Sequence, residues 1–287
     1  MNNKLLELSM NNFADEDGDI LHIPHGDMPG DKINIEKSHI EKAKVIFPEL
    51  IKKVKECATT NSKVVITVCG GSGVGKSEIA SLLAHYFENM GVGCYTLSGD
   101  NYPHRIPVYN DAERLRIFRE SAIRGMITDS EYSFERFNII HQYQLENKDA
   151  ESKNIAKYPW YESYIRNGAM GLQGYLGTEK EINFSEIQNI VKEFKSGAEK
   201  IWLKRMGRED TELWYEEVDF SEKDILIIEW THGNSKNYTG VDIPVLLNST
   251  PKETLAHRRS RNRDGAVDSP FTTLVLELEQ KLLRRDA

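Results

Sequence analysis

Gly70-Gly71-Ser72-Gly73-Val74-Gly75-Lys76-Ser77 is an uninterrupted G-x-x-x-x-G-K-S run, the spacing at which a glycine-rich turn wraps backbone N–H groups around a polyphosphate. In this reading Gly71, Ser72, Gly73, Val74 and Gly75 supply the amides and Lys76 reaches the terminal phosphates. The Ser77 hydroxyl completes the shell of a Mg2+ ion. The run follows the β-branched stretch 63–68 and precedes Ile79, Leu82, Leu83, Tyr86 and Phe87 at helical spacing. That is the strand–loop–helix setting in which the positive end of a helix faces the bound anion. The chain is therefore expected to bind a nucleoside triphosphate.

A phosphate loop serves hydrolases, switches, motors and kinases alike, so other residues must choose among them. Asp100 follows the second expected strand, at residues 93–97. At the carboxyl edge of a parallel sheet, where ligands bind, it could take the proton of an attacking hydroxyl and approach the metal shell. A turn or helix-capping role is its plainer alternative. Glu229 ends the apolar run Ile225-Leu226-Ile227-Ile228, the position from which a strand-end carboxylate holds Mg2+ through water. Arg258, Arg259, Arg261 and Arg263 cluster in an otherwise acidic chain. A helix C-terminus attracts one or two cations, whereas a lid gripping phosphates accounts for all of them. Arg259 and Arg263 would neutralise the transferring group, and Arg258 and Arg261 would hold the nucleotide.

Taken in order, GGSGVGKS, SGDN, IIEW and LLNSTPKETLAHRRSRNRD resemble the uridine kinase and phosphoribulokinase branch of P-loop kinases. The resemblance spans about residues 63–285 and implies ATP and Mg2+ as cofactors, Asp100 as base, Glu229 in the metal shell, and an R-R-x-x-R-D lid ending at Asp264. It implies a P-loop kinase fold with the arginine lid, which agrees with the α/β class, a mostly parallel sheet flanked by helices, that the alternation of strands and helices predicts. The residues before the first strand read as an N-terminal appendage. Trp230 stands where the family carries glycine, and the family's P-x-Y-D-F substrate motif is missing near Leu213-Trp214-Tyr215-Glu216. The turn at Asp100-Asn101 with Asp111-Ala112-Glu113-Arg114 also resembles adenylylsulfate kinase. The expectation is an ATP-dependent kinase acting on a hydroxyl of a nucleoside, sugar or sugar acid, with adenylylsulfate kinase as the alternative. An ATP-sensing regulatory protein is the alternative of another class. A GTPase-like switch should show N-K-x-D, for which Asn248-Ser249-Thr250-Pro251 is a poor substitute.

The acceptor side is read from Tyr102, His104 and Arg105 beside the expected base, and from Arg205 and Arg208 near an expected hairpin. These basic groups favour a phosphorylated or carboxylated acceptor. The aromatic segment 158–177 reads as packing rather than as a pocket.

The elements that must position these residues follow from periodicity. Residues 1–60 read as an irregular arm and a helix over 37–56. Residues 61–287 read as the kinase domain, with a substrate-side insertion at about 101–220 and the lid at about 257–270. Helices are expected near 111–124 and 130–146, and another opening on a Ser185-x-x-Gln188 capping box and stopping at Gly197. Residues 201–206 and 213–220 form the hairpin. A central strand at 224–229 and another at 243–247 follow, and Thr250-Pro251 and Ser269-Pro270 each open a helix. The sheet either stops there or gains an edge from the arm near residues 20–23.

The bulk numbers exclude several classes. With 287 residues, 39% hydrophobic and 29% charged, the chain can bury a large α/β core. A formal charge of −8 argues against nucleic acid or an anionic membrane as partner. No apolar run approaches the roughly 20 residues that span a bilayer, and residues 1–19 do not resemble a secretory signal. Cys57, Cys69 and Cys94 are too widely spaced for a C-x-x-C pair and suit a reducing cytoplasm. His22-Ile23-Pro24-His25 reads as a loop, because its proline forbids a regular helix face. A small-molecule acceptor is the expected partner, and self-association is compatible with the chain.

Overall fold

The computed structural model describes residues 4–10, 23, 25–30, 33–261 and 269–286. The chain runs α1 (Lys37–Ala58), β1 (Val64–Gly70), α2 (Lys76–Asn89) and β2 (Cys94–Ser98), then a 3-10 turn at Gly99–Asn101. Next come α3 (Pro107–Thr128), α4 (Phe134–Leu145), α5 (Asn154–Lys157), α6 (Tyr161–Gln173) and α7 (Phe184–Lys195). The order ends with β3 (Lys200–Met206), β4 (Leu213–Asp219), β5 (Ile225–Glu229), β6 (Ile243–Leu247), α8 (Leu255–Arg261) and α9 (Pro270–Asp286).

A four-stranded sheet in the order β2-β5-β1-β6 is the centre of the molecule, and each of its strand pairs is parallel. Every residue of β1 and β5 is buried, as a strand covered on both faces requires. Val64, Ile66, Val68, Ile225 and Ile227 face one layer, packing with Phe47, Leu50 and Val54 of α1 and Leu82, Leu83 and Phe87 of α2. The alternate residues Val65, Leu97, Leu226 and Ile228 join Phe184, Ile187, Val191 and Phe194 of α7 and Leu203 of β3. The leader helix thus packs on the core.

Between β2 and α7 the chain builds a helical unit. Phe118, Ala122 and Met126 of α3 pack with Tyr161 and Tyr164 of α6, so the aromatic segment is packing. The hairpin forms as β3 against β4, with Lys204 opposite Tyr215 and Met206 opposite Leu213.

Two helix starts differ from expectation. The α7 cap is Asn183, whose side chain accepts from Glu186 N, while Gln188 reaches away to the backbone of Thr239. A distant polar backbone claimed the glutamine that spacing assigned to a local box. Thr250 and Glu253 do make reciprocal capping contacts, yet the helix begins only at Leu255.

Candidate active site

The parallel register sets Val68, Ser98 and Glu229 at one level, at the carboxyl edge of three adjacent strands. Beside them the chain turns through the phosphate loop into α2. Gly73 and Gly75 have φ of +76° and +95°, left-handed values that favour glycine. No side chain caps the start of α2, which leaves its first-turn amides directed toward an anion.

Elements distant in sequence support this loop. A Cβ on Gly75 would lie 2.9 Å from the His39 ring, one on Gly73 2.9 Å from Arg258 Cγ, and one on Gly71 3.4 Å from Gln280 Oε1. His39 belongs to the first turn of α1, where its Nδ1 accepts from Glu36 N at 3.1 Å. Neither His39 nor Gln280 carries a sequence signal for this role, because each meets the loop only through helix packing.

Glu229, 4% exposed, receives Ser77 Oγ on one carboxylate oxygen at 3.2 Å and Ser98 Oγ on the other at 2.7 Å. A hydroxyl and a carboxylate converging beside the phosphate loop fit the hard-oxygen preference of Mg2+. Lys76 Nζ donates to Gly71 O at 3.3 Å, folded over the loop it would serve. Among the described residues no cluster of histidine, cysteine, aspartate and glutamate forms a separate metal site.

Asp100 lies exposed in the 3-10 turn directly after β2. The turn rests on Trp230, since a Cβ on Gly99 would stand 2.0 Å from Trp230 Cγ. Trp230 itself is 2% exposed and packs against Phe184 with ring centroids 5.5 Å apart. The departure from the family's glycine therefore has a structural consequence: Trp230 forms the floor beneath the Asp100 turn.

Several expected site residues lie elsewhere. Tyr102 is fully buried in the core with Leu97, Ile228 and Trp230, so it supports the turn from below rather than facing an acceptor. Arg205 is also buried; its guanidinium meets Asp27 at 2.9 Å and Glu216 at 3.0 Å, which removes it as an open anion grip. Arg258 is 5% exposed and donates to Pro251 O at 2.8 Å and Thr254 Oγ1 at 2.5 Å. It anchors the base of α8 against Gly73 instead of reaching outward. Arg259 is exposed on the same helix. Arg263 and Asp264 lie outside the described residues, as does the side chain of Arg261.

His104 Nε2 pairs with Glu179 O at 2.9 Å, and Arg105 donates to Tyr175 Oη at 3.1 Å. Arg208 is exposed in the hairpin turn, its backbone N–H held by Glu212.

A largely buried polar cluster lies within electrostatic reach of Lys76. Arg114 meets Glu181 at 2.6 Å and Glu279 at 3.3 Å, and Glu181 also accepts from Asn110 and from Gly177 N. Burial pushes Glu279 up to about 6, against the pull of Arg114. Burial likewise drives His232 down to about 4, so it is neutral near pH 7 despite Glu181. The sequence marked Arg114, but not the carboxylates that α9 and the loop after α6 bring to it.

Comparison with known proteins adds three findings. The family model described as Zeta toxin matches residues 48–158, from the middle of α1 through the phosphate loop and the Asp100 turn to the end of α5. Over 236 residues the chain is 41% identical to the bifunctional alpha-galactosidase/sucrose kinase AgaSK of Mediterraneibacter gnavus, covering 82% of this chain and 20% of that protein. The chain thus spans about a fifth of that relative's length. Among solved structures, one assigned as a fructose transport system kinase from Silicibacter sp. TM1040 aligns with TM-score 0.51 at 12% identity, covering 85% of this chain and 94% of the other. A possible uridine kinase from Bacillus stearothermophilus aligns with TM-score 0.38 at 14% identity, covering 78% of this chain and 90% of the other.

Proposed function

From a chain that carries the P-loop kinase fold, we propose an ATP-dependent phosphotransferase whose acceptor is the hydroxyl of a neutral sugar, with sucrose as the first candidate. The observation that carries this reading is the convergence of Ser77 and Glu229 beside the phosphate loop, with Asp100 exposed on the next turn. A switch or sensor has no need of a carboxylate presented to an acceptor face. Glycoside hydrolysis requires no nucleotide, so the phosphate loop relates this chain to the kinase activity in the name of its bifunctional relative.

In this mechanism the amides of residues 71–77 cradle the polyphosphate and Lys76 leaves Gly71 O to meet the terminal phosphates. Ser77 and Glu229 would hold Mg2+, which offsets charge on the phosphate oxygens. Asp100 accepts the proton of the acceptor hydroxyl as its oxygen bonds to the γ-phosphorus and the bond to the ADP oxygen breaks. Arg259 and Arg263 are proposed to neutralise charge on the transferring group, and Arg261 to hold the nucleotide.

The commitment of two expected or marked arginines to carboxylates supports a neutral acceptor over an anionic one. Arg205 is bound by Asp27 and Glu216, and Arg114 by Glu181 and Glu279. Carboxylates and amides suit sugar hydroxyls, whereas adenylylsulfate calls for uncommitted cations. Among the described residues no helix is long and apolar enough to cross a membrane, and a cytoplasmic metabolic role is proposed.

The test is ADP release by the purified full chain with Mg-ATP and sucrose, fructose, glucose, uridine or adenylylsulfate. Sucrose-dependent release supports the proposal in full. Preference for uridine or adenylylsulfate rejects the sugar assignment, and acceptor-independent turnover with every compound rejects the kinase assignment.

A further inference from the structure

The mechanism makes no use of the N-terminal arm, yet its segment 25–30 reaches the carboxyl edge of the sheet. Asp27 is the contact. Its Oδ1 accepts from Ser98 N at 2.7 Å and Asn101 Nδ2 at 3.2 Å, and its Oδ2 from Tyr95 Oη and Arg205 Nη1, each at 2.9 Å. The side chain is 8% exposed. Ser98 and Asn101 are the two ends of the turn that presents Asp100, so one carboxylate from more than 70 residues upstream clamps both.

The same clamp extends to Glu229. Ser98, held by Asp27 through its backbone, donates its hydroxyl to Glu229 Oε1 at 2.7 Å. The neighbouring Gly26 backbone lies against that side of the carboxylate; a Cβ there would sit 3.9 Å from Oε1. Glu229 is thereby backed on its Oε1 side and leaves Oε2 toward Ser77. On the far side of the turn, Asn101 Oδ1 accepts from Met206 N at 3.0 Å, which links the clamp to the hairpin.

We propose that Asp27 is a positioning residue for phosphoryl transfer: it fixes the turn that carries Asp100 and, through Ser98, the orientation of Glu229. The proposal rests on the kinase reading above. A strap whose only task was attachment could pack by apolar contact. A buried carboxylate is a costly fastener unless its acceptor geometry is needed, and here each of its oxygens serves the turn or the strand and hairpin beside it. Burial opposes its ionisation, while Arg205, Ser98 N and Tyr95 favour it.

The test compares the wild type with Asp27→Asn and Ser98→Ala in the full chain, by acceptor-dependent kinetics and by hydrogen exchange of the amides at residues 98–101. Asp27→Asn cannot accept at both side-chain termini. The expected result is a kcat about 100-fold lower, with KM for ATP within about twofold and faster exchange at 98–101. Ser98→Ala leaves the strap in place, and is expected to raise the Mg2+ concentration for half-maximal rate about fivefold without faster exchange. Unchanged exchange in Asp27→Asn overturns the clamp. Changed exchange with wild-type kcat, or a fall in kcat no larger than the lost fraction of folded protein, reduces Asp27 to a structural fastener and overturns the positioning role. If the wild type shows no turnover with any acceptor, the kinase reading fails, and the exchange comparison still decides the clamp.

Discussion

The proposed donor and acceptor halves of this site are built in opposite ways. The donor half is one contiguous run, residues 70–77, in which glycine conformations and a helix start do most of the positioning. The proposed acceptor half draws on two groups of residues: the Asp100 turn, which Asp27 and Ser98 hold through sheet register and a distant strap, and the Arg114, Glu181 and Glu279 cluster, which helix packing assembles. Phosphate binding needs backbone amides and a local turn, so a short sequence can encode it. Acceptor recognition needs side chains aimed from several directions, so it depends on topology.

Substitutions can break or sharpen that contrast. The largest effect is expected at the proposed base: Asp100→Asn should lower kcat about 1,000-fold while leaving ATP affinity within about twofold. Nucleotide titration beside steady-state kinetics checks it, and a full-rate variant removes Asp100 from the chemistry. Gly99→Ala comes next, because its Cβ would stand 2.0 Å from Trp230. A loss of about 3 kcal/mol in urea unfolding is expected from the overpacking, together with reduced kcat. Combining it with Trp230→Leu should recover part of both, whereas strict additivity would argue that the ring is not the floor of the turn.

A smaller effect is expected from Glu279, whose folded-state value near 6 lies above its usual 4.5 through burial, with Arg114, Glu181, Lys76 and Asp111 facing it. A raised carboxylate contributes stability below pH 4.5 that is lost as pH rises through 6. The shift corresponds to about 2 kcal/mol. Glu279→Gln should therefore gain on the wild type by that amount between pH 4.5 and 6.5, and parallel stability curves would contradict the burial. The smallest effect is assigned to Arg105, which already pairs with Tyr175. Arg105→Ala should change the KM for a neutral sugar less than about threefold, whereas loss of an anion grip would cost about tenfold or more.

The strands and helices that carry the fold were legible because their patterns are strong. The apolar run at 225–228 forms β5 between two neighbours, and residues 243–247 form β6. Ser269-Pro270 opens α9 as expected, with Ser269 Oγ accepting from Thr272 N. Misreadings arose where a local rule had a distant competitor. Gln188 fits a capping box with Ser185 but bonds to Thr239. Arg205 and Arg258 look like anion grips in a linear reading, yet one meets Asp27 and Glu216 and the other turns into its own helix base. Asp27 itself sits in a polar Asp-Met-Pro-Gly stretch with no motif around it.

The sequence by itself determined the phosphate loop, the strand–loop–helix around it and the carboxylates at residues 100 and 229, since each is defined by neighbours a few positions away. Only the tertiary structure decided that Ser98 and Ser77 share Glu229, that Trp230 floors the Asp100 turn, and that the leader reaches that turn through Asp27. Those contacts join segments far apart in the chain, and their energy depends on burial and register that exist only once the sheet has formed.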